Sequence, residues 1–195
     1  MILQLAMIKF YLNRELSQAF RVNHAKWKRW SREFLPPDPL GGLQSGYARQ
    51  YNLDEAFTVY LGGHLVGELK YTIPESRQIL SDLHEWLIDH KFYFNFAGDS
   101  DPAKLPTHPV QNYRIAIIRH DIPGGRISGF SYWVKAIISV DSIQLGDEQI
   151  LQERYQESFI GPPLDMAALS DKESYRTLHI NALRHNFLVR LQNIP

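Results

Sequence analysis

The chain contains no cysteine. Disulfides, thiolate nucleophiles and cysteine-bound zinc are therefore excluded, and the composition suits a reducing compartment, so a cytoplasmic location is expected. An unbroken apolar run of about 18 residues is also missing, so no membrane-spanning helix is expected. The opening MILQLAMI is apolar but short, without a basic flank before it or a small-residue cleavage site after it, which argues against a secretory signal. Net charge is absent too, because 21 Lys+Arg balance 21 Asp+Glu. A zero sum gives no overall pull on a polyanion, so any such attraction has to come from the distribution of charge. No internal repeat is visible. What the chain does have is apolar and aromatic material, 44% and 12% of 195 residues, enough to fill a core in one large domain or two small ones.

The charge is unevenly spread. Between Lys9 and Tyr51 stand Lys9, Arg14, Arg21, Lys26, Lys28, Arg29, Arg32 and Arg49, opposed by Glu15, Glu33 and Asp38, so eight cations face three anions. Leu12 to Phe20 has Leu12, Leu16, Ala19 and Phe20 at helical spacing, with Asn13 suited to cap it. Arg21-Val22-Asn23 reads as a turn, with Val22 directed into the core and Asn23 capping a second helix from about His24 to Glu33. Trp27 and Trp30 share one side of that helix and read as core rather than base-stacking groups. Phe34-Leu35-Pro36-Pro37 ends it, since proline cannot continue a helix. The Asp38–Gly46 loop and the return Tyr47-Ala48-Arg49-Gln50-Tyr51 read as a β-hairpin, and the capping boxes Asn52…Glu55 and Thr72…Glu75 open two more helices. In the first of these, Gly62-Gly63 either weakens the helix or lets another element pack closely.

Helix, turn, basic helix and wing is the order that a DNA-binding winged helix-turn-helix requires. The segments WKRWSREFLPP, SGYARQY and KYTIPESRQIL, in that order, resemble the MerR family of transcription regulators over about residues 8–80. There are departures: Ala25 stands where that family has an arginine, Arg29 where it has a tyrosine, Phe34 in place of a turn glycine, and the wing carries one extra residue, which displaces Arg49 relative to Tyr47. In the DNA reading the helix from His24 enters the major groove, with His24, Ala25 and Lys28 at base edges. Lys26, Arg29, Arg32 and Arg49 mostly meet phosphates, Tyr47 and Tyr51 donate hydroxyl hydrogen bonds, and Lys28 and Arg29 are the best guanine readers. The resemblance further implies a homodimer, for which the stripe Ile79, Leu83, Trp86 and Leu87 is the candidate seam, although packing within one subunit explains the same stripe.

The C-terminal half reads differently. Ala97 to Pro109 is polar and proline-bearing, and it suggests a linker or long loop over 93–109 between an N-terminal domain (8–92) and a second domain (110–195). Tyr113–Arg119 and Phe130–Val140 are rich in β-branched and aromatic residues and predict strands. Asp147–Tyr155 predicts a helix broken by Gly161-Pro162-Pro163, and Tyr175–Leu191 fits neither period. Tyr113, Phe130, Tyr132 and Trp133 are candidates for an effector pocket, with an ordinary sheet core as the plainer explanation.

The eight histidines show no ligand spacing: His84 and His90 fall on different helix faces, and His120-Asp121 is a poor chelate. Gly124-Gly125-Arg126 lacks the full phosphate-loop pattern and reads as a turn. The expectation is therefore an α+β protein: an all-α winged helix-turn-helix head followed by an α+β domain. It is expected to be non-enzymatic, without cofactor or metal, and to act as a regulator binding double-stranded DNA, with a second copy and an unidentified small-molecule effector as further partners. The alternative is a protein-interaction or small-molecule-binding module that uses a winged-helix fold without DNA binding.

Overall fold

The computed structural model describes residues 9–38, 48–94, 111–120, 129–145, 148–162 and 175–194. The architecture is α+β: N-terminal helices, then a four-stranded antiparallel sheet and a C-terminal helix. The chain divides into two compact units. The first comprises residues 1–107 together with 183–195, and the second is 108–182. The expected domain of 110–195 thus differs from this division at its end, where the chain from Leu183 on belongs with the N-terminal helices.

In the first unit a short strand β1 (Tyr11–Leu12) leads into α1 (Asn13–Ala19) and α2 (His24–Phe34), and β2 (Gln50–Tyr51) precedes α3 (Leu53–Gly67) and α4 (Ile73–Asp89). The expected all-α character needs correcting here, since β1 and β2 form an antiparallel pair that matches Tyr11 with Tyr51 and Leu12 with Gln50. Both expected capping boxes are present. Asn52 Oδ1 accepts from Glu55 N at 2.8 Å while Glu55 accepts from Asn52 N at 3.1 Å, and Thr72 and Glu75 repeat the exchange at 3.4 and 2.7 Å. At α1 the cap is Leu12, not Asn13: Glu15 accepts from Leu12 N at 2.7 Å, and Asn13 is a buried helical residue.

The core of this unit is aromatic. Phe20 stacks on Trp27 at 5.4 Å and on Phe187 at 5.3 Å, and Phe187 also meets Phe57, Tyr60 and Phe94. Phe187 lies in α5 (Ile180–Gln192), so the C-terminal helix fills the centre of a unit begun by the N-terminal helices. Arg184, buried, donates from Nε to Phe92 O at 3.2 Å, and Arg190 donates to Phe20 O at 3.0 Å. Of the two readings of Gly62-Gly63, close packing holds: a Cβ at Gly62 would collide with the ring of Phe34, and one at Gly63 with the ring of Trp30. These glycines let α2 lie directly on α3.

The second unit holds β3 (Asn112–His120), β4 (Gly129–Leu145), β5 (Glu148–Ile160) and β6 (Tyr175–Leu178) in the order β5-β4-β3-β6, all neighbours antiparallel. Ile115, Ile117, Phe130, Tyr132, Val134 and Leu178 are among its buried residues. Asn181 accepts from Tyr113 N at 2.8 Å and donates to Gln111 O at 2.9 Å, which fixes the start of α5 to β3. The expected helix over 147–155 is strand β5 instead. Its Glu- and Gln-rich composition favours a helix locally, but pairing with β4 from Leu145↔Glu148 to Tyr132↔Ile160, with a register shift between Ile137 and Ser139, overrides that weak preference. Of the two readings of Tyr113, Phe130, Tyr132 and Trp133, the ordinary sheet core fits Phe130 and Tyr132, which are buried. Cross-strand register places Tyr132 opposite Ile117 on the buried face, while neighbouring Trp133 points to the other face. The expected linker over 93–109 needs correcting at its start, since Tyr93 and Phe94 are buried against Phe57 in the first unit; 95–109 lie outside the described residues.

Candidate nucleic-acid interface

The site starts from the way α1 stops. Arg21 adopts φ 54°, the left-handed conformation; Arg21 N donates to Gln18 O at 3.1 Å and Val22 N to Ser17 O at 2.9 Å. This bonding satisfies the last carbonyls of α1 and reverses the chain. Asn23 then caps α2 as expected, its Oδ1 accepting from Ala25 N at 2.9 Å and Lys26 N at 3.3 Å. Val22, expected in the core, is only half-buried. Trp27, Trp30 and Ser31 face inward and are buried. His24, Ala25, Lys26, Lys28, Arg29 and Arg32 are all exposed, so α2 presents a cationic outer face.

That face has two edges. His24, Ala25, Lys28 and Arg32 line an open cleft of about 1540 Å³, to which α1 and the turn contribute Arg14, Ser17 and Arg21 and the following chain contributes Pro36–Asp38 and Arg49. Lys26 and Arg29 lie off the cleft, and Lys26 Nζ sits 4.8 Å above the ring of Trp30. Among the described residues that line the cleft, Asp38 is the only acid. The two other acids of the basic segment are occupied elsewhere, Glu15 on Leu12 N and Glu33 in an ion pair with Arg77. Among the described residues none of Arg14, Arg21, Lys28, Arg29 and Arg32 has an ion-pair partner. His24 Nδ1 is 3.3 Å from Ser17 Oγ, which itself donates to Arg14 O at 3.0 Å.

The remaining expected contacts need correction. Arg49 is not a free phosphate ligand. Its side chain is 13% exposed, donates to Pro36 O at 2.9 Å and pairs with Glu55 at 3.3 Å, which ties the chain after α2 to the start of α3. Tyr51 is fully buried; its hydroxyl donates to Asn13 Oδ1 at 2.5 Å and lies 2.7 Å from Ser31 Oγ. Pairing of β2 with β1 turns this side chain inward, against α1 and α2. Burial raises its pKa above the ordinary tyrosine value, with the hydrogen bond to Ser31 opposing the shift, so the ring is a neutral internal strut. Tyr47 lies outside the described residues. On α4, Ile79, Leu83 and Leu87 are buried within the single chain, and half-buried Trp86 stacks on His90 at 4.2 Å and Phe92 at 5.5 Å. A dimer seam on that stripe would have to strip these residues from the core.

Arg14 and Arg21 were not assigned a contact from sequence. They belong to the same basic segment, and their place on the cleft depends on the turn geometry. Among the described residues no group of three or more His, Cys, Asp or Glu side chains is placed to hold a metal ion, and no helix is long and apolar enough to cross a membrane. No family model matches the chain, and no curated protein matches it.

Proposed function

We propose that this chain is a DNA-binding transcription regulator of MerR-like type, in which α1, α2 and the segment before β2 act as a winged helix-turn-helix. The observation that carries the reading is the exposed cationic face of α2, without ion-pair partners among the described residues, in a protein with no net charge. Held together by the Asn23 cap and the Trp27–Trp30 packing, α2 offers His24, Ala25 and Lys28 near its N-terminus, the part of a recognition helix that meets base edges. Arg29 and Arg32 then serve phosphates, which supply affinity and salt dependence rather than sequence choice. The cleft supports an extended ligand over a small one, because about 1540 Å³ exceeds the roughly 300–1,000 Å³ of ordinary small-molecule pockets. Two copies on two half-sites complete the reading, through a surface other than the α4 stripe, in the cytoplasm and without a catalytic role.

The test is fluorescence anisotropy with duplex DNA from around the protein's own coding region and an unrelated duplex, at several salt concentrations. Wild type is expected to bind, with affinity falling steeply as salt rises. The Lys28→Ala/Arg29→Ala double variant loses preference between fragments through Lys28, and its salt slope drops by about 0.9 for the one phosphate contact of Arg29. No binding to either duplex at low salt sinks the reading.

A further inference from the structure

We infer that Arg14 and Arg21 form a second, α1-side half of the anion site, gripping the phosphodiester backbone of the same duplex that α2 engages; the inference rests on the DNA reading above. Both side chains are exposed, line the cleft with Lys28 and Arg32, and have no ion-pair partner among the described residues. Arg14 comes from the first turn of α1 and Arg21 from its C-terminal turn. A strand seated in the cleft therefore meets cations from two elements, which fixes its direction as a single helix face does not.

The backbone at Arg21 adds a second line of support. Its left-handed conformation is one that glycine adopts without cost and other residues do not. The conformation alone does not point to a ligand. Lys70 and Lys91 adopt the same region after α3 and α4, where a cation also suits the negative end of the helix. Arg21 differs from them in that it alone of the three lines the cleft. At this position the head carries a guanidinium on the cleft lining where a glycine would relieve the backbone.

The two effects have opposite signs, and this makes the inference testable on the full chain. Arg21→Gly is expected to raise Tm by about 2 °C, as the strain is relieved, and to weaken binding of a labelled mixed-sequence duplex. Its salt slope falls by about 0.9, so a fourfold rise in salt weakens wild type about 3.5-fold more than the variant. Lys91→Gly is the control: it relieves the same strain away from the cleft, with a similar gain in Tm and no change in slope. Arg14→Gln reproduces the slope change of Arg21→Gly without the gain in Tm. Unchanged affinity and slope in Arg21→Gly and Arg14→Gln, with wild type bound, overturns the inference and leaves the DNA reading standing. Wild type that fails to bind duplex at low salt overturns both.

Discussion

In the first unit the largest aromatic rings are gathered inward, and one group of cations is left outside. Phe20, Trp27, Phe57 and Phe187 are buried against one another, while Arg14, Arg21, Lys28, Arg29 and Arg32 stand exposed and unpaired among the described residues. In the second unit Phe130 and Tyr132 are buried, but other rings face outward. Phe159 is 47% exposed, Tyr155 41% and Tyr175 58%. Among its described residues three cations are already engaged: Arg114 grips Glu153 through two hydrogen bonds of 2.8 and 2.5 Å, Arg154 pairs with Asp141 at 3.1 Å, and Lys135 lies 4.1 Å from the ring of Trp133 and 4.2 Å from that of Tyr155. A cation with a partner has little left to offer an incoming phosphate, since the existing interaction has to be broken first. Charge counts therefore do not locate an anion site; the pairing state of each charge does.

The contrast is broken most severely by Phe187→Ala. It hollows the aromatic core of the first unit from a residue far away in sequence and is expected to cost about 3–5 kcal/mol. Urea denaturation followed by tryptophan fluorescence reads the loss; an unchanged midpoint would mean that α5 is peripheral to the first unit. Gly63→Ala comes next. Its new methyl group meets the ring of Trp30, and overpacking of this kind costs about 1–3 kcal/mol. A lowered thermal midpoint is expected, and no change would show that α2 slides off α3 freely.

Tyr51→Phe separates strut from ligand. Removing the hydroxyl strands Asn13 and Ser31 and is expected to cost about 1–3 kcal/mol, with DNA affinity unchanged in the folded protein. The pH dependence has a definite sign. Burial raises the folded-state pKa of Tyr51, so above about pH 10 the unfolded chain ionises while the native ring holds its proton, and stability falls as pH rises further. Tyr60 and Tyr93 are raised by burial in the same way, so Tyr51→Phe should soften the alkaline loss seen in denaturation from pH 9 upward without abolishing it. The smallest effect belongs to Arg154→Ala, whose partner pair is largely exposed; about 0–1 kcal/mol and no change in salt slope are expected. A change in DNA binding there would mean that the paired cations of the sheet also reach the duplex.

Elements stabilised by neighbours in sequence were legible. The Asn23, Asn52 and Thr72 caps depend on side chains reaching backbone groups two or three residues away, and β3 and β4 announce themselves through β-branched and aromatic runs. Features that depend on distant pairing were not. Tyr51 and Arg49 looked like wing ligands because β1, which turns β2 inward, is only Tyr11–Leu12 and carries no strand signal of its own. β5 has a helix former's composition and becomes a strand because β4 is beside it. The role of Arg14 and Arg21 on the cleft depends on one left-handed residue that no periodicity reveals.

The discontinuity of the first unit also bears on protein synthesis. A ribosome delivers the helix pair early, but the ring that closes its core is Phe187, which emerges only after the whole sheet-forming stretch has been made. Until then Phe20 and Phe57 have lost a stacking partner, and the nascent head is an open hydrophobic surface of the sort that chaperones hold. Chains broken off before that point, however complete their cationic face, would be left unfinished at the centre and be easily cleared.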